Sequence, residues 1–186
     1  MKRAVPLKAI KRIKELDLTL KPHLDYARDM FLFSFYTRGM SFIDMAYLKK
    51  TDLKNGILTY RRRKTGQQLT IKWEKCMEEI VTKYEARSVT QYLLPIITNP
   101  LACERVQYMN ALSRVNVALK EVAHLVDLQI PLTMYCARHG GQASPRARTY
   151  RFQLSAMAWD TIRKKPRAFI LLRLTRAWWT GQTALS

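Results

Sequence analysis

Between Pro22 and Gly39 the chain carries Met-Phe-Leu-Phe-Ser-Phe at positions 30–35, within a stretch that is apolar on most of its faces. A surface helix has one apolar stripe and a polar remainder, so a helix apolar all round must be enclosed by other elements. Pro22 suits the first helical position, where no backbone N–H is needed, and Gly39 suits the end. The spacing predicts a central helix over about 23–36, with the rest of the fold packed around it. The 186 residues are enough for one domain of ordinary size with a real core, and 48% hydrophobic residues argue against global disorder.

The flanking segments read as smaller elements. Leu7, Ile10, Ile13 and Leu16 recur near helical spacing in a basic amphipathic stretch. Ser41 caps a third helix expected to run through Asp44 to about Lys49, followed by a turn over 51–56. Residues 57–60 and 68–71 alternate apolar and polar types around Lys64-Thr65-Gly66, the pattern of a β-hairpin. Residues 75–86 read as helix, with Met77, Ile80, Val81 and Tyr84 on one face. A short apolar run, 92–97, ends in a loop at Pro100. A long helix is expected over 110–128, and Pro131 precedes a further helix opening near Thr133. There are no internal repeats. The expected class is mainly α with a small antiparallel hairpin or sheet.

Charge narrows the partners. Lys and Arg number 33 against 14 Asp and Glu, a net charge of +19 with a pI near 10.2. Such an excess favours a polyanion, most simply nucleic acid, with an anionic membrane surface the weaker option. No apolar run is long enough to span a bilayer, and the N-terminus lacks the apolar core of a signal peptide. Cys76, Cys103 and Cys136 form no CxxC pair and no metal-ligand spacing, so they read as reduced thiols in the cytoplasm. No metal and no cofactor are expected. Residues 141–186 differ from the rest, holding nine Lys or Arg, the single acid Asp160 and three of the four tryptophans.

Two motifs suggest chemistry. Residues 132–140 read Leu-Thr-Met-Tyr-Cys-Ala-Arg-His-Gly, and residues 39–48 read Gly-Met-Ser-Phe-Ile-Asp-Met-Ala-Tyr-Leu. With the basic hairpin Tyr-Arg-Arg-Arg-Lys-Thr-Gly at 60–66 between them, the order of elements over about 4–139 resembles the catalytic domain of the tyrosine recombinases, the phage-type integrases. The resemblance implies the fold of the DNA breaking-rejoining enzymes. It also implies a tyrosine hydroxyl attacking a DNA phosphodiester to form a 3′-phosphotyrosyl link. Two arginines, a lysine and two further hydrogen-bonding residues would stabilise the transition state. A pentacoordinate phosphorane concentrates negative charge on its non-bridging oxygens, which guanidinium forks match bidentately. A lysine can protonate the leaving oxygen, and cationic side chains supply the electrostatic stabilisation without a metal.

Carried onto this sequence, the resemblance implies that Arg138 holds the phosphate, followed by His139. Tyr135 stands where the family has histidine three residues earlier, and tyrosine is the poorer base near neutral pH. Lys64 stands on the hairpin as the catalytic lysine; its plainer reading is a generic DNA-contact residue. Arg61, Arg62 and Arg63 join Lys64 as backbone-positioning DNA contacts. The family pattern Gly-Leu-Arg-x-Ser-Glu is not reproduced: aligning Asp44 with its acid puts Ser41 where the first arginine belongs. Arg38, three residues upstream, is the favoured substitute, with Ser41 in that role as the alternative. Asp44 is read as a structural acid, or else as an ordinary helix-surface carboxylate.

After His139 the likeness stops. The family continues with a Gly-His pair and then the nucleophile, whereas this chain has Gly-Gly-Gln-Ala-Ser-Pro-Arg at 140–146, and Tyr150 lies too close to Arg138. A shifted reading frame accounts for the break. Residues 141–146 written as GGG-CAA-GCA-TCG-CCA-AGA, behind a GGT for Gly140, read one base earlier as TGG-GCA-AGC-ATC-GCC-AAG, or Trp-Ala-Ser-Ile-Ala-Lys. The same shift lets residues 157–162 hide Gly-Met-Gly-His-Asp, and lets 167–174 hide Thr-Arg-Ile-Tyr-Leu-Ala-Ser-Leu, the tyrosine codon straddling Phe169 and Ile170. The expectation is a partial catalytic domain over 1–139, an aberrant basic tail over 140–186, and no N-terminal core-binding domain. Without a nucleophile the chain is expected to bind duplex DNA, at the nucleoid, but not to cleave it or assemble as the family's oligomers do. Losing the C-terminal helices is expected to leave Phe31 and Leu32 exposed. The alternative function is a basic DNA- or RNA-binding protein without catalysis; a ribosome- or membrane-associated protein rests on charge alone.

Overall fold

The computed structural model describes the backbone of residues 5–143 and the side chains of residues 5–138. The chain divides into two units, Met1–Ala147 and Arg148–Ser186, and every described residue lies in the first. Its elements are α1 (Leu7–Glu15), α2 (Pro22–Tyr36), α3 (Phe42–Ala46), β1 (Leu53–Lys54), β2 (Ile57–Arg61), β3 (Gln68–Lys72), α4 (Lys75–Tyr84), α5 (Glu104–Leu125) and α6 (Met134–Ala143). Short 3₁₀ turns occupy Lys50–Asp52 and Glu85–Arg87. The architecture is thus helical with one three-stranded antiparallel sheet, ordered β1-β2-β3.

α2 is the central element, as its composition demands. It packs against α1, α4, α5 and α6. Met30, Phe31 and Phe33 are fully buried and Leu32 nearly so. The exposure expected for Phe31 and Leu32 is therefore wrong. Among the described residues, the helices packed against α2 come from segments on both sides of it. Burying side chains of this size contributes roughly 1.5–3 kcal/mol each.

One carboxylate goes into the core with them. Asp29 is 4% exposed and accepts hydrogen bonds from Arg28 Nε (3.0 Å), Lys83 Nζ (2.6 Å) and Tyr84 Oη (2.9 Å). Arg28 also pairs with Asp25 and donates to the Leu16 carbonyl just beyond α1 (2.7 Å), while Lys83 reaches Asp25 at 2.5 Å. The cluster joins α1, α2 and α4. Burial favours neutral Lys83, but hydrogen bonds to Asp25 and Asp29 outweigh it and raise the ammonium's pKa. Burial, then the charge of Asp29, holds the Tyr84 phenol far above its ordinary range.

Several boundaries differ from the sequence reading. The third helix stops at Ala46 instead of continuing to Lys49. The backbone of 48–50 is taken by another segment: Leu93 N–H donates to the Leu48 carbonyl (2.7 Å) and Lys50 N–H to that of Gln91 (3.0 Å), with Lys49 bridged to Tyr92. The expected turn at 51–56 contains β1, joined to β2 through Asn55-Gly56, both at positive φ (50° and 70°). That pair matches the two-residue turn whose twist suits an antiparallel hairpin. α5 starts at Glu104 rather than 110, and Gln107 in its first turn accepts from Thr98 N (3.1 Å) and Asn99 N (3.0 Å), stitching the preceding loop to the helix.

Candidate nucleic-acid interface

The C-terminal end of α2 sets up the site. Thr37 Oγ1 donates to the Phe33 carbonyl (2.7 Å), Gly39 N–H to that of Ser34 (2.7 Å), and Ser34 Oγ to that of Met40 (2.7 Å). Arg38 and Gly39 then adopt φ of 61° and 78° in succession, which reverses the chain. Gly39 needs its missing side chain twice over. Its φ is left-handed, and a Cβ there would stand 2.6 Å from the Arg138 carbonyl oxygen and 2.8 Å from Arg138 Cα. The turn after α2 thus lies directly on the backbone of α6, bringing Arg38 and Arg138 into neighbouring segments one hundred residues apart in sequence.

The hairpin is tied to the same place. Ser41 caps α3, donating from Oγ to Asp44 Oδ2 (2.5 Å) while accepting from Asp44 N–H (3.4 Å). The other oxygen of Asp44 accepts from Arg63 N–H across the gap to the hairpin (2.9 Å). Asp44 is 5% exposed, so it is not an ordinary helix-surface carboxylate. The guanidinium of Arg63 lies 3.8 Å from the Tyr47 ring centroid, a cation–π contact that turns this arginine back onto the domain. β2 and β3 pair from Ile57 with Lys72 to Arg61 with Gln68. The loop closes through Arg62 N–H to Gln67 O (2.9 Å) and Gly66 N–H to Arg62 O (2.8 Å).

Tyr60, one residue inside the hairpin, is the link that sequence reasoning passed over. Its phenol is buried, and burial, then the nearby Asp44 carboxylate, pushes its pKa up to about 12 against the opposing pull of Arg62 and Arg138. Asp44, Arg62 and Arg138 therefore act on one hydroxyl, from α3, the hairpin and α6. Arg62 Nε is buried with no hydrogen-bond partner. A buried, unpaired guanidinium donor is costly unless an acceptor arrives. The signal for Tyr60 was available, since it is an inward position of an alternating strand beside three arginines.

The other candidates fall at different places. Arg38 and Arg138 are half-buried, and Tyr135 lies one turn before Arg138 on α6, 52% exposed. Arg138 sits in the second turn of α6, and the helix continues through Gly140 and Gly141 to Ala143. The His139 side chain lies outside the described residues, as do Tyr150 and the segment in which the shifted frame was read. Lys64 and Arg61 are exposed, Lys64 in the loop at the hairpin tip beyond the Asp44 tether. Among the described residues no group of three or more His, Cys, Asp or Glu could hold a metal ion, and no helix is long and apolar enough to cross a membrane. Neither the protein-family profiles nor the curated proteins contain a match to this chain.

Proposed function

We propose that this chain is a DNA-binding remnant of a tyrosine recombinase catalytic domain that engages the phosphate backbone without cleaving it. The observation that carries this reading is the convergence of Arg62 and Arg138 on Tyr60, with the Arg38 turn packed against Arg138 through Gly39. Cations from the hairpin and from α6 that act on one hydroxyl suit a phosphodiester, because its two non-bridging oxygens accept several donors at once. The unpaired Arg62 Nε adds a donor awaiting an acceptor. Lys64 and Arg61 on the exposed hairpin extend the contact along the backbone, giving affinity without sequence readout.

Residues 140–186 supply no tyrosine in the family's position, so this polypeptide has no attacking hydroxyl and forms no covalent intermediate. The net charge of +19 by itself supports equally a second reading, a nucleic-acid binder without catalysis. The two differ in what they ask of Arg62 and Arg138. Fluorescence anisotropy with a labelled duplex, titrated with salt, separates them. Under the recombinase reading Arg62→Gln and Arg138→Gln each weaken binding and lower the salt slope by about 0.9, one phosphate contact each. Unchanged slopes in both variants would leave generic charge as the explanation and defeat the proposal.

A further inference from the structure

A cavity lies at the opposite end of α2 from the Arg38 turn. It has a volume of about 650 Å³ and opens between the first turn of α2, the middle of α5 and the loop before α5. A site of this size falls within the range that small organic ligands occupy, roughly 300–1,000 Å³. Its floor is apolar: Ala111, Val115 and Ala118 of α5 are buried, with Ile96 of the loop beside them. Val117 stands at the rim, 57% exposed.

The polar groups are unevenly placed. At one side His23 and Glu121 approach at 4.0 Å between α2 and α5. Elsewhere the lining carries Arg87 and Arg114, and both act on the phenol of Tyr26, opposing the burial that pushes its pKa up to about 12. Tyr26 is held by its hydroxyl on the Pro95 carbonyl (3.3 Å) and by an edge-on contact with Tyr84 (5.5 Å between centroids). Among the described residues neither arginine has a carboxylate within ion-pair distance. The one acid of the lining, Glu121, lies on the His23 side.

An apolar floor whose lining also carries two guanidinium groups and a hydrogen-bonded aromatic ring fits a ligand with an apolar body and a single anionic group. A polyphosphate backbone is a poorer match, since it has no apolar body for the floor and would meet Glu121. α2 also separates this cavity from the Arg138 site by roughly 22 Å, at about 1.5 Å per helical residue. We infer that the cavity between α2 and α5 is a binding site for a small monoanionic amphiphile, its acid group on Arg87 and Arg114 and its apolar body against Val115, Ala118 and Ile96.

Two naphthalene dyes test this on the full chain: 8-anilinonaphthalene-1-sulfonate, which carries one anionic group, and N-phenyl-1-naphthylamine, which carries none. The sulfonate should bind saturably with one site of highest affinity. The double variant Arg87→Gln/Arg114→Gln should weaken the sulfonate at least tenfold and change the neutral dye less than twofold. Ser113→Trp, at the exposed mouth, should weaken both dyes. Val117→Asp supplies the same readout if the tryptophan variant does not fold, as judged by its circular dichroism melt. Sulfonate binding that survives the loss of both arginines, or that is indifferent to both mouth substitutions, would place the dye elsewhere and overturn the inference.

Discussion

At the scale of single residues, Gly39 and Tyr60 matter most. Gly39→Ala combines a left-handed backbone at φ 78° with a Cβ only 2.6 Å from a backbone carbonyl, so neither a rotamer change nor a flexible neighbour can relieve it. The backbone penalty alone is roughly 1–2 kcal/mol, and separating the turn from α6 adds to it. We expect urea unfolding to show a loss of about 2 kcal/mol or more, with DNA affinity falling alongside because Arg138 moves. Unaltered stability would mean that the turn does not bear on α6. Tyr60 gives a pH signature. Its phenol rises from 10.0 to about 12 on folding, so its contribution to stability is fully present below pH 10 and disappears as pH climbs to about 12. The unfolded chain ionises first and is favoured. Below pH 9 the phenol stays neutral, and DNA affinity should not respond to it. Tyr60→Phe should flatten part of the alkaline loss measured by urea unfolding at a series of pH values; an identical profile would place the phenol in solvent. Arg138 was readable from its motif, whereas the glycine contact was not, because nothing local to Gly39 announces a partner near residue 138.

At the scale of elements, Asp44 is the joint between α3 and the hairpin. One of its oxygens serves the α3 cap and the other the Arg63 amide, at 2.9 Å. Asp44→Ala leaves that amide without its acceptor at a partly buried position, a loss on the order of 1 kcal/mol. Asp44→Asn keeps an acceptor and should cost less. Hydrogen exchange at the Arg63 amide should accelerate strongly in the alanine variant and slightly in the asparagine one; equal protection in all three proteins would show the tether to be idle. The elements themselves were legible where a strong period or breaker marked them, as in α2 between Pro22 and Gly39 or the alternating β2 and β3. They were misjudged where a distant partner decided. α3 is cut short because 48–50 pairs with 91–93, and α5 gains its first turn through Gln107 and the Thr98 loop. β1 was the avoidable miss, since Asn55-Gly56 before an alternating run is itself a hairpin signal.

At the scale of the whole molecule, the covering of α2 changes what the shifted reading frame would mean. If the core needed residues after 143, restoring the family's ending would chiefly raise stability. With Phe31 and Phe33 already fully buried and α2 packed against α1, α4, α5 and α6, a restored ending would bear on chemistry more than on the core. The expectation at the nucleotide level is definite. The gene's bases after the His139 codon, read in the alternative frame, should encode Trp-Ala-Ser, then Gly-His, then Ile-Tyr-Leu, without a stop codon between them. A stop, or the absence of the Gly-His and tyrosine signatures, would end the frameshift account and leave residues 140–186 requiring a different explanation. The protein-level counterpart uses a nicked duplex that traps covalent product. The 186-residue chain should give no adduct, and a tyrosine adduct mapped to it would refute its inactivity. A chain with the frame restored should give an adduct that disappears with Arg138→Gln, because this guanidinium, whose charge acts on Tyr60, would hold the phosphate under attack. Its unfolding midpoint should differ little from that of the original chain, since the apolar face of α2 gains no cover it does not already have.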